Sequence, residues 1–426
     1  MIDWSGEPVR LSPSLIIKLE CFVSLLLTVQ LMFVAVAIAT VVGIVGAWAA
    51  STAHQSQGPV GRLCSRLFFV AMVICVATPL ILHAAAWEAT AGKFGWLPLT
   101  QVGSRGYGGL GGVFNGLVAC GWIHGLFGSS LVALATWYGT LQVPAAVIQQ
   151  SQLEMGLWRS WWKVRLPLAL PWTTTALLAT AALTATEMTV ADLYGYRTLA
   201  DRFYLQYIVD PTRGAVLRTI AVPLAMAGLI MLVVFSRWNT GRSINAQHPS
   251  NANQGPRDAN QGPRDASRST SAANQRTSTS TEHHSNRTVA VAATLSVGIA
   301  GLVVLVPLLG IVIKAGHQII VVGTQRSVGW SATRFVENVL NAPVTFAAEY
   351  QWTIVLAGLT GVVAAAIGWT IASVGRTHPR FRTVCDGLSI LLVLIPGPLA
   401  GIAIVRFFRS TSQAFVRFII RRWCRR

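Results

Sequence analysis

Charge is scarce in this 426-residue chain, and negative charge is scarcer still. Asp and Glu number 15 against 33 Lys and Arg, and the four types together make up 11% of the residues. Soluble globular domains carry about 25% charged residues, so a soluble fold is excluded. Cysteine is also sparse: Cys21, Cys64, Cys75, Cys120, Cys385 and Cys424 show no CxxC spacing and lie mostly in or beside apolar runs. That pattern excludes a disulfide framework and a thiolate metal site. The phosphate loop GxxxxGK[ST] is missing, so the chain binds and hydrolyses no ATP of its own. No catalytic constellation and no cofactor is assigned to it. Carboxylates and phenols do not cluster in the apolar stretches, which leaves no hard-oxygen metal site. The formal charge of +18 invites a nucleic-acid reading, but the basic residues form no groove or aromatic platform. They sit in short segments between apolar runs instead, so nucleic acid is excluded as a partner.

Long apolar runs are abundant. A helix crossing about 30 Å of hydrocarbon needs about 20 apolar residues, and eight stretches qualify: 22–50, 63–86, 114–142, 172–191, 217–238, 288–315, 352–375 and 385–408. The expected fold is an all-α, multi-pass membrane protein of about eight transmembrane helices. Basic flanks set the orientation. Placing His54, Arg62 and Arg66, then Arg159, Lys163 and Arg165, then the seven arginines of 237–287, then Arg376, Arg380 and Arg382 on the cytoplasmic side gives one alternating topology. Residues 1–21 are then outside, as are loops 87–113, 192–216 and 316–351. Residues 239–287 are poor in apolar side chains and carry "ANQGPRD" twice in tandem, the composition of a disordered cytoplasmic linker. It divides the chain into a first membrane domain, 22–238, and a second, 288–426. The two are related: "TVQLMFVAVAIATVVGIVGA" (28–47) aligns without gaps onto "TIVLAGLTGVVAAAIGWTIA" (353–372), so the repeat starts near residue 347. Such repeats are common in transporters.

One polar patch interrupts the first domain. In 143–171, Pro144 fits the first turn of a new helix, residues 145–156 make about three turns, and Gly156 is a plausible stop. "LWRSWWKVRL" then carries Trp and basic residues suited to the headgroup level, and Pro167 and Pro171 are expected to open the next membrane helix. The result is a short helix lying on the cytoplasmic face between two spans. Two ionisable residues inside the spans are candidates for function. Glu187, with Thr186 beside it, lies about 24 Å of helical rise after Pro171, near the outer boundary. It either ends the helix there, paired with Arg197 or Arg202, or lines a substrate pathway. His124 reads as a packed, hydrogen-bonded residue rather than a ligand.

The patch resembles the cytoplasmic docking loop of the permease subunits of binding-protein-dependent ABC importers, most closely the fused two-copy permeases for ferric iron and thiamine. The match runs without gaps through Leu153, Glu154, Trp158, Arg159, Trp161, Trp162, Lys163, Val164, Leu166 and Pro167, and continues through "TATEMTVADLYGYRTLADRFYLQY" (184–207). The resemblance implies a docking helix that seats in a groove of a separate ATP-binding cassette subunit, with Pro144, Gln150, Ser151, Glu154, Gly156, Trp158, Arg159 and Pro167 as its site residues. It further implies an extracytoplasmic solute-binding protein, a surrounding lipid bilayer, the bacterial cytoplasmic (inner) membrane as location, and ferric iron as substrate. The family's Glu-Glu-x-Ala positions are Ile148, Gln149, Gln150 and Ser151 here, which leaves Glu154 as the loop's only carboxylate. The second domain shows no such loop, and its basic tail (406–426) breaks the charge rule, so the C-terminal half is expected to be truncated. A homodimer or a complementing permease would supply the second docking loop. The alternatives are an ion-coupled secondary transporter and a non-functional truncated permease or membrane scaffold.

Overall fold

The computed structural model describes residues 13–55, 58–92, 116–209, 278–322 and 325–378, and a few isolated positions up to Leu388. The expected spans 217–238 and 385–408, the linker up to residue 277 and the basic tail lie essentially outside the described residues. What is described is helical except for one hairpin. In chain order the helices are α1 (Pro13–Gln55), α2 (Pro59–Ala77), α3 (Leu80–Ala91), α4 (Leu117–Leu141), α5 (Ala145–Ser160), α6 (Leu166–Thr186), α7 (Thr189–Leu193) and α8 (Leu199–Val209). They continue as α9 (Ser278–Ala300), α10 (Val306–Ala315), α11 (Ala332–Thr345) and α12 (Ala347–Thr377), with strands β1 (His317–Val322) and β2 (Gln325–Trp330) between α10 and α11. Among the described residues, six helical stretches are long and apolar enough to cross a membrane. The chain is a multi-pass membrane protein.

The bundle is organised around α1 and α4, which cross at very short range. In a bilayer, helices gain little from hiding apolar surface, so close backbone approach through small residues drives their association. Gly43 of α1 and Gly125 of α4 show how tight this is. A Cβ on Gly43 would lie 2.7 Å from Val132 Cβ and 2.8 Å from the Ser129 carbonyl oxygen. One on Gly125 would lie 2.6 Å from Ile38 Cβ. On the other side of α4, Gly128 rests against Thr180 of α6, and Thr136 shares a 2.9 Å hydrogen bond with Thr173 of α6. Leu31, Ala35, Ala39 and Ala47 of α1 are fully buried along this seam.

Three local features depart from the expected spans, each for a proline-related reason. The stretch 63–86 is not one helix. Pro79 has no N–H to give, so the chain breaks at Thr78–Pro79 into α2 and α3, and α3 runs on to Ala91, through part of the expected outer loop. The imidazole of His83 takes up the carbonyl exposed by the break, with Nε2 2.9 Å from the Cys75 oxygen. Pro167 stands in the first turn of α6, as expected, but it starts no separate helix, and Pro171 opens none. The helix that reaches Thr186 already runs from Leu157, and Pro171 lies inside it. A π-turn at Trp161–Arg165, closed by the Leu166 N–H donating to the Trp161 carbonyl, widens the helix just before Pro167. The same device, a π-turn at Gly301–Leu305, precedes Pro307 between α9 and α10. Thus the rule that places proline at helix starts gives way to a widened turn that tolerates it inside.

Two further expectations shift. Helix α9 begins at Ser278, so residues 278–287, read as linker, are helical. The α9–α10 stretch, assigned to the second domain, packs on α1, α2 and α3 rather than apart from them. The all-α expectation also meets the antiparallel β1–β2 pair, registered His317 opposite Trp330 through Val322 opposite Gln325. In contrast to everything before it, α12 contacts little: Leu356, Ile367 and Trp369 are all exposed.

Candidate functional site

The expected docking helix forms as α5, entered at Pro144, which occupies the capping position with extended backbone angles. Its end is set by Gly156, at φ 77° and ψ 169°. That left-handed region suits glycine because it has no Cβ to strike the neighbouring carbonyl, and nothing lies within 4 Å of where one would point. The chain therefore turns an elbow at Gly156 and re-enters helix at Leu157.

The elbow is held from inside by several contacts. Ser151 Oγ and Ser160 Oγ share a 2.6 Å hydrogen bond across it. The Trp158 ring meets Trp48 of α1 edge to face at 4.8 Å and Trp162 at 5.5 Å. The Arg165 guanidinium lies 5.1 Å from the centre of the buried Trp161 ring. At the foot of α1, the Gln55 carboxamide meets Gln152 of α5 at 3.0 Å. In the orientation that satisfies both neighbours, its oxygen accepts from Arg165 at 3.1 Å. The outer surface of α5 is left open. Leu153 is 88% exposed, and Gln150 donates to the exposed Glu154 carboxylate at 3.0 Å.

The eight residues assigned to the loop therefore divide. Pro144, Gln150, Glu154, Gly156, Arg159 and Pro167 are exposed. Trp158 is half-exposed, with its ring against Trp48. Ser151 is buried and spent on Ser160, so it braces the elbow and offers nothing to a partner. Leu153 was passed over as a contact residue, although it is the most exposed apolar side chain α5 presents. The bracing residues Trp48 and Gln55 were missed because they lie about a hundred positions away. Only the fold brings them to the elbow.

At the opposite end of α4 and α6 is a polar corner. Glu187 caps α6 and does end it, as one reading expected. Its partners are not Arg197 or Arg202. Arg202 pairs with Glu20. The Glu187 carboxylate accepts from the backbone N–H groups of Thr189 (2.7 Å) and Val190 (3.0 Å), and its Oε2 lies 3.5 Å from His124 Nε2. Thr186 is turned back on its own helix, donating to the Ala182 carbonyl. His124 is buried and bonded as expected, through Nδ1 to the Cys120 carbonyl at 2.8 Å. The corner is closed by the turn after α7: Tyr196 donates to the Leu27 carbonyl, and Thr28 accepts from the Leu199 N–H. Burial pushes the Tyr194 phenol upward, and the nearby Glu88 carboxylate adds to the shift.

Among the described residues, no group of three or more His, Cys, Asp or Glu converges. An open groove of about 560 Å³ on the outer face of α1 is lined by Phe33, Val36, Val41 and Ala181, with Thr40 its one polar side chain. Lipid acyl chains suit such a surface better than a polar substrate. No protein-family model matches the sequence, and no curated protein matches it either.

Proposed function

We propose that the chain is the membrane permease subunit of an ATP-driven importer, located in the bacterial cytoplasmic membrane, with α5 as the element that receives force from a separate ATP-binding subunit. The observation that carries the reading is the elbow: a short exposed helix, ended by a left-handed glycine and braced into two membrane helices, at the positions where the sequence resembles an importer docking loop. In this reading, closure of the ATPase pushes on Leu153 and Glu154. The push passes through Ser151–Ser160 into α6 and through Trp158–Trp48 into α1, and the bundle rocks between inward and outward access. An extracytoplasmic solute-binding protein delivers the substrate, for which ferric iron is proposed on resemblance alone. The second docking helix comes from a second copy or a complementing permease. The repeat relation between α1 and α12 belongs to the same proposal.

The test is co-purification with an ATP-binding cassette subunit co-expressed with this chain. The double exchange Leu153→Arg, Glu154→Arg places charge on the open surface of α5 while leaving Ser151, Trp158 and Gly156 in place. Recovery of the ATPase should fall by about tenfold or more, the scale of losing one good contact, with permease abundance unchanged. Full recovery would refute the docking role.

A second reading, an ion-coupled transporter, has one observation in its favour, the ionisable His124–Glu187 pair between α4 and α6. Uptake that survives ATP depletion and stops when the proton gradient is collapsed would select it. A chain that restores no uptake under either condition would be the inert product or scaffold.

A further inference from the structure

The contact between His124 and Glu187 contains a contradiction in its protons, and resolving it yields a binding site. His124 Nδ1 lies 2.8 Å from the Cys120 carbonyl. A carbonyl oxygen only accepts, so Nδ1 must carry the hydrogen. In a neutral imidazole the other nitrogen, Nε2, then presents a lone pair. That lone pair faces Glu187 Oε2 at 3.5 Å, and His124 is 98% buried, with Nε2 making no hydrogen bond among the described residues. Two acceptors face each other, the imidazole out of water and the carboxylate one-fifth exposed, a costly arrangement for the buried ring. The carboxylate cannot relieve it by turning away, because Thr189 and Val190 N–H groups hold both of its oxygens.

One proton removes the conflict, and we propose that His124 and Glu187 together form a single-proton binding site joining α4 to the α6–α7 corner. The backbone donors favour the ionised carboxylate, so the proton resides on Nε2. Uptake converts two opposed acceptors into a charge-assisted hydrogen bond, which closes to about 2.8 Å. The end of α6 is thereby drawn onto α4, at the end of the bundle far from the α5 elbow. His124 lies 17 residues from the end of α4 at Leu141, about 25 Å along the helix.

Few other charges can substitute. Helix α1 has no ionisable side chain between Cys21 and His54, and α6 has none from Leu166 to Thr186. On α2 and α3, Cys75 and His83 are engaged with each other, and Glu88 lies beside Tyr194. Cys120 stands one turn before His124 on α4, within electrostatic reach of Glu187, Tyr194 and Tyr196. Asp192, Arg197 and Asp201 belong to the next turn outward, and Arg202 is committed to Glu20.

The direction of the pH dependence follows. In the unfolded chain the two groups separate, and the histidine loses its proton near pH 6.5. A proton bridging the two groups stabilises only the folded arrangement, so this contribution is present in acid and is lost as pH rises and the proton leaves. The site needs no assumption about ATP, a docking partner or net transport.

Two measurements on the full chain in detergent micelles test it. The melting temperature of the wild type should fall by several degrees between pH 6 and pH 9 relative to Glu187→Gln. In that variant an amide NH2 in the Oε2 position donates to Nε2 without a titrating proton; its oxygen still accepts from Thr189, while the Val190 N–H gives up its acceptor at every pH alike. Equal pH dependence in the two proteins overturns the proposal. Independently of any variant, ¹⁵N spectra of histidine-labelled wild type should show one of the eight histidines passing from doubly protonated to an Nδ1–H neutral ring. Eight rings that all end in the ordinary Nε2–H form at high pH overturn it as well. A proton site that is present while uptake still follows ATP leaves the importer reading intact, whereas loss of ATPase co-purification in the α5 variant says nothing about the proton.

Discussion

Helices α1 and α12 share residue type at five aligned positions and meet opposite fates. Thr28, Leu31, Ala39, Gly43 and Ala47 correspond in the alignment to Thr353, Leu356, Ala364, Gly368 and Ala372. In α1 this face is sealed against α4, with Leu31, Ala39 and Ala47 at zero exposure. In α12 the same face stands open: Leu356 is exposed, and a Cβ on Gly368 would meet nothing within 4 Å. The difference lies in the partner. Gly121, Gly125 and Gly128 of α4 clear a path for Val34, Ile38 and Ala39, and among the described residues no helix offers α12 such a face. A small-residue stripe thus permits close approach in a membrane, but it packs only when a complementary stripe arrives.

The sharpest way to break this comparison is to fill the matched glycines. Gly43→Leu should cost about 3 kcal/mol, the upper range for forcing bulk into a packed seam, and should strongly lower the melting temperature in detergent. Gly368→Leu should change it by less than about 0.5 kcal/mol. Equal losses would mean that α12 is packed after all. A smaller effect contrasts two glycines for their backbone angles. Gly156→Ala forces a Cβ into the left-handed region and should cost about 1 kcal/mol, readable as faster proteolysis at the elbow. Gly358→Ala, in ordinary helix, should instead stabilise by up to about 1 kcal/mol. The smallest contrast concerns hydroxyls. Thr136→Val removes the bond to Thr173 and should cost about 0.6 kcal/mol, the usual worth of such a bond in a bilayer. Thr370, whose hydroxyl returns to the Ala366 carbonyl of its own helix, should tolerate valine without measurable loss.

What the sequence discloses here is whatever depends on local composition. Length and apolarity of the runs locate six spans, because crossing hydrocarbon leaves few options for backbone hydrogen bonds. Pro144 and Gly156 bound α5 because capping and left-handed angles are properties of single residues. Contacts decided by helix phase stay hidden. Nothing near His124 announces Glu187, 63 positions on, and nothing near Trp158 announces Trp48. Prolines misled in both directions. Pro79 broke a run read as continuous, while Pro171 sits inside a helix it was expected to start, and Pro167 follows a π-turn whose signature is not written in residue type. The salt partners of Glu187 were misjudged for a similar reason: Arg197 and Arg202 are near in sequence, but the turn after α7 carries Arg202 to Glu20 at the far end of α1.

Helix α1 is also far longer than the bilayer requires. Its apolar part, Glu20–Gln55, is 36 residues and rises about 54 Å, against a hydrocarbon layer of about 30 Å. A rod so oversized must lean or protrude, and how far it leans depends on the thickness of the surrounding lipid. Since Trp48 and Gln55 near its foot hold the elbow, a thinner or thicker membrane would slide that foot beneath α5. Lipid composition then becomes a mechanical setting of the elbow, adjusted without touching a single residue.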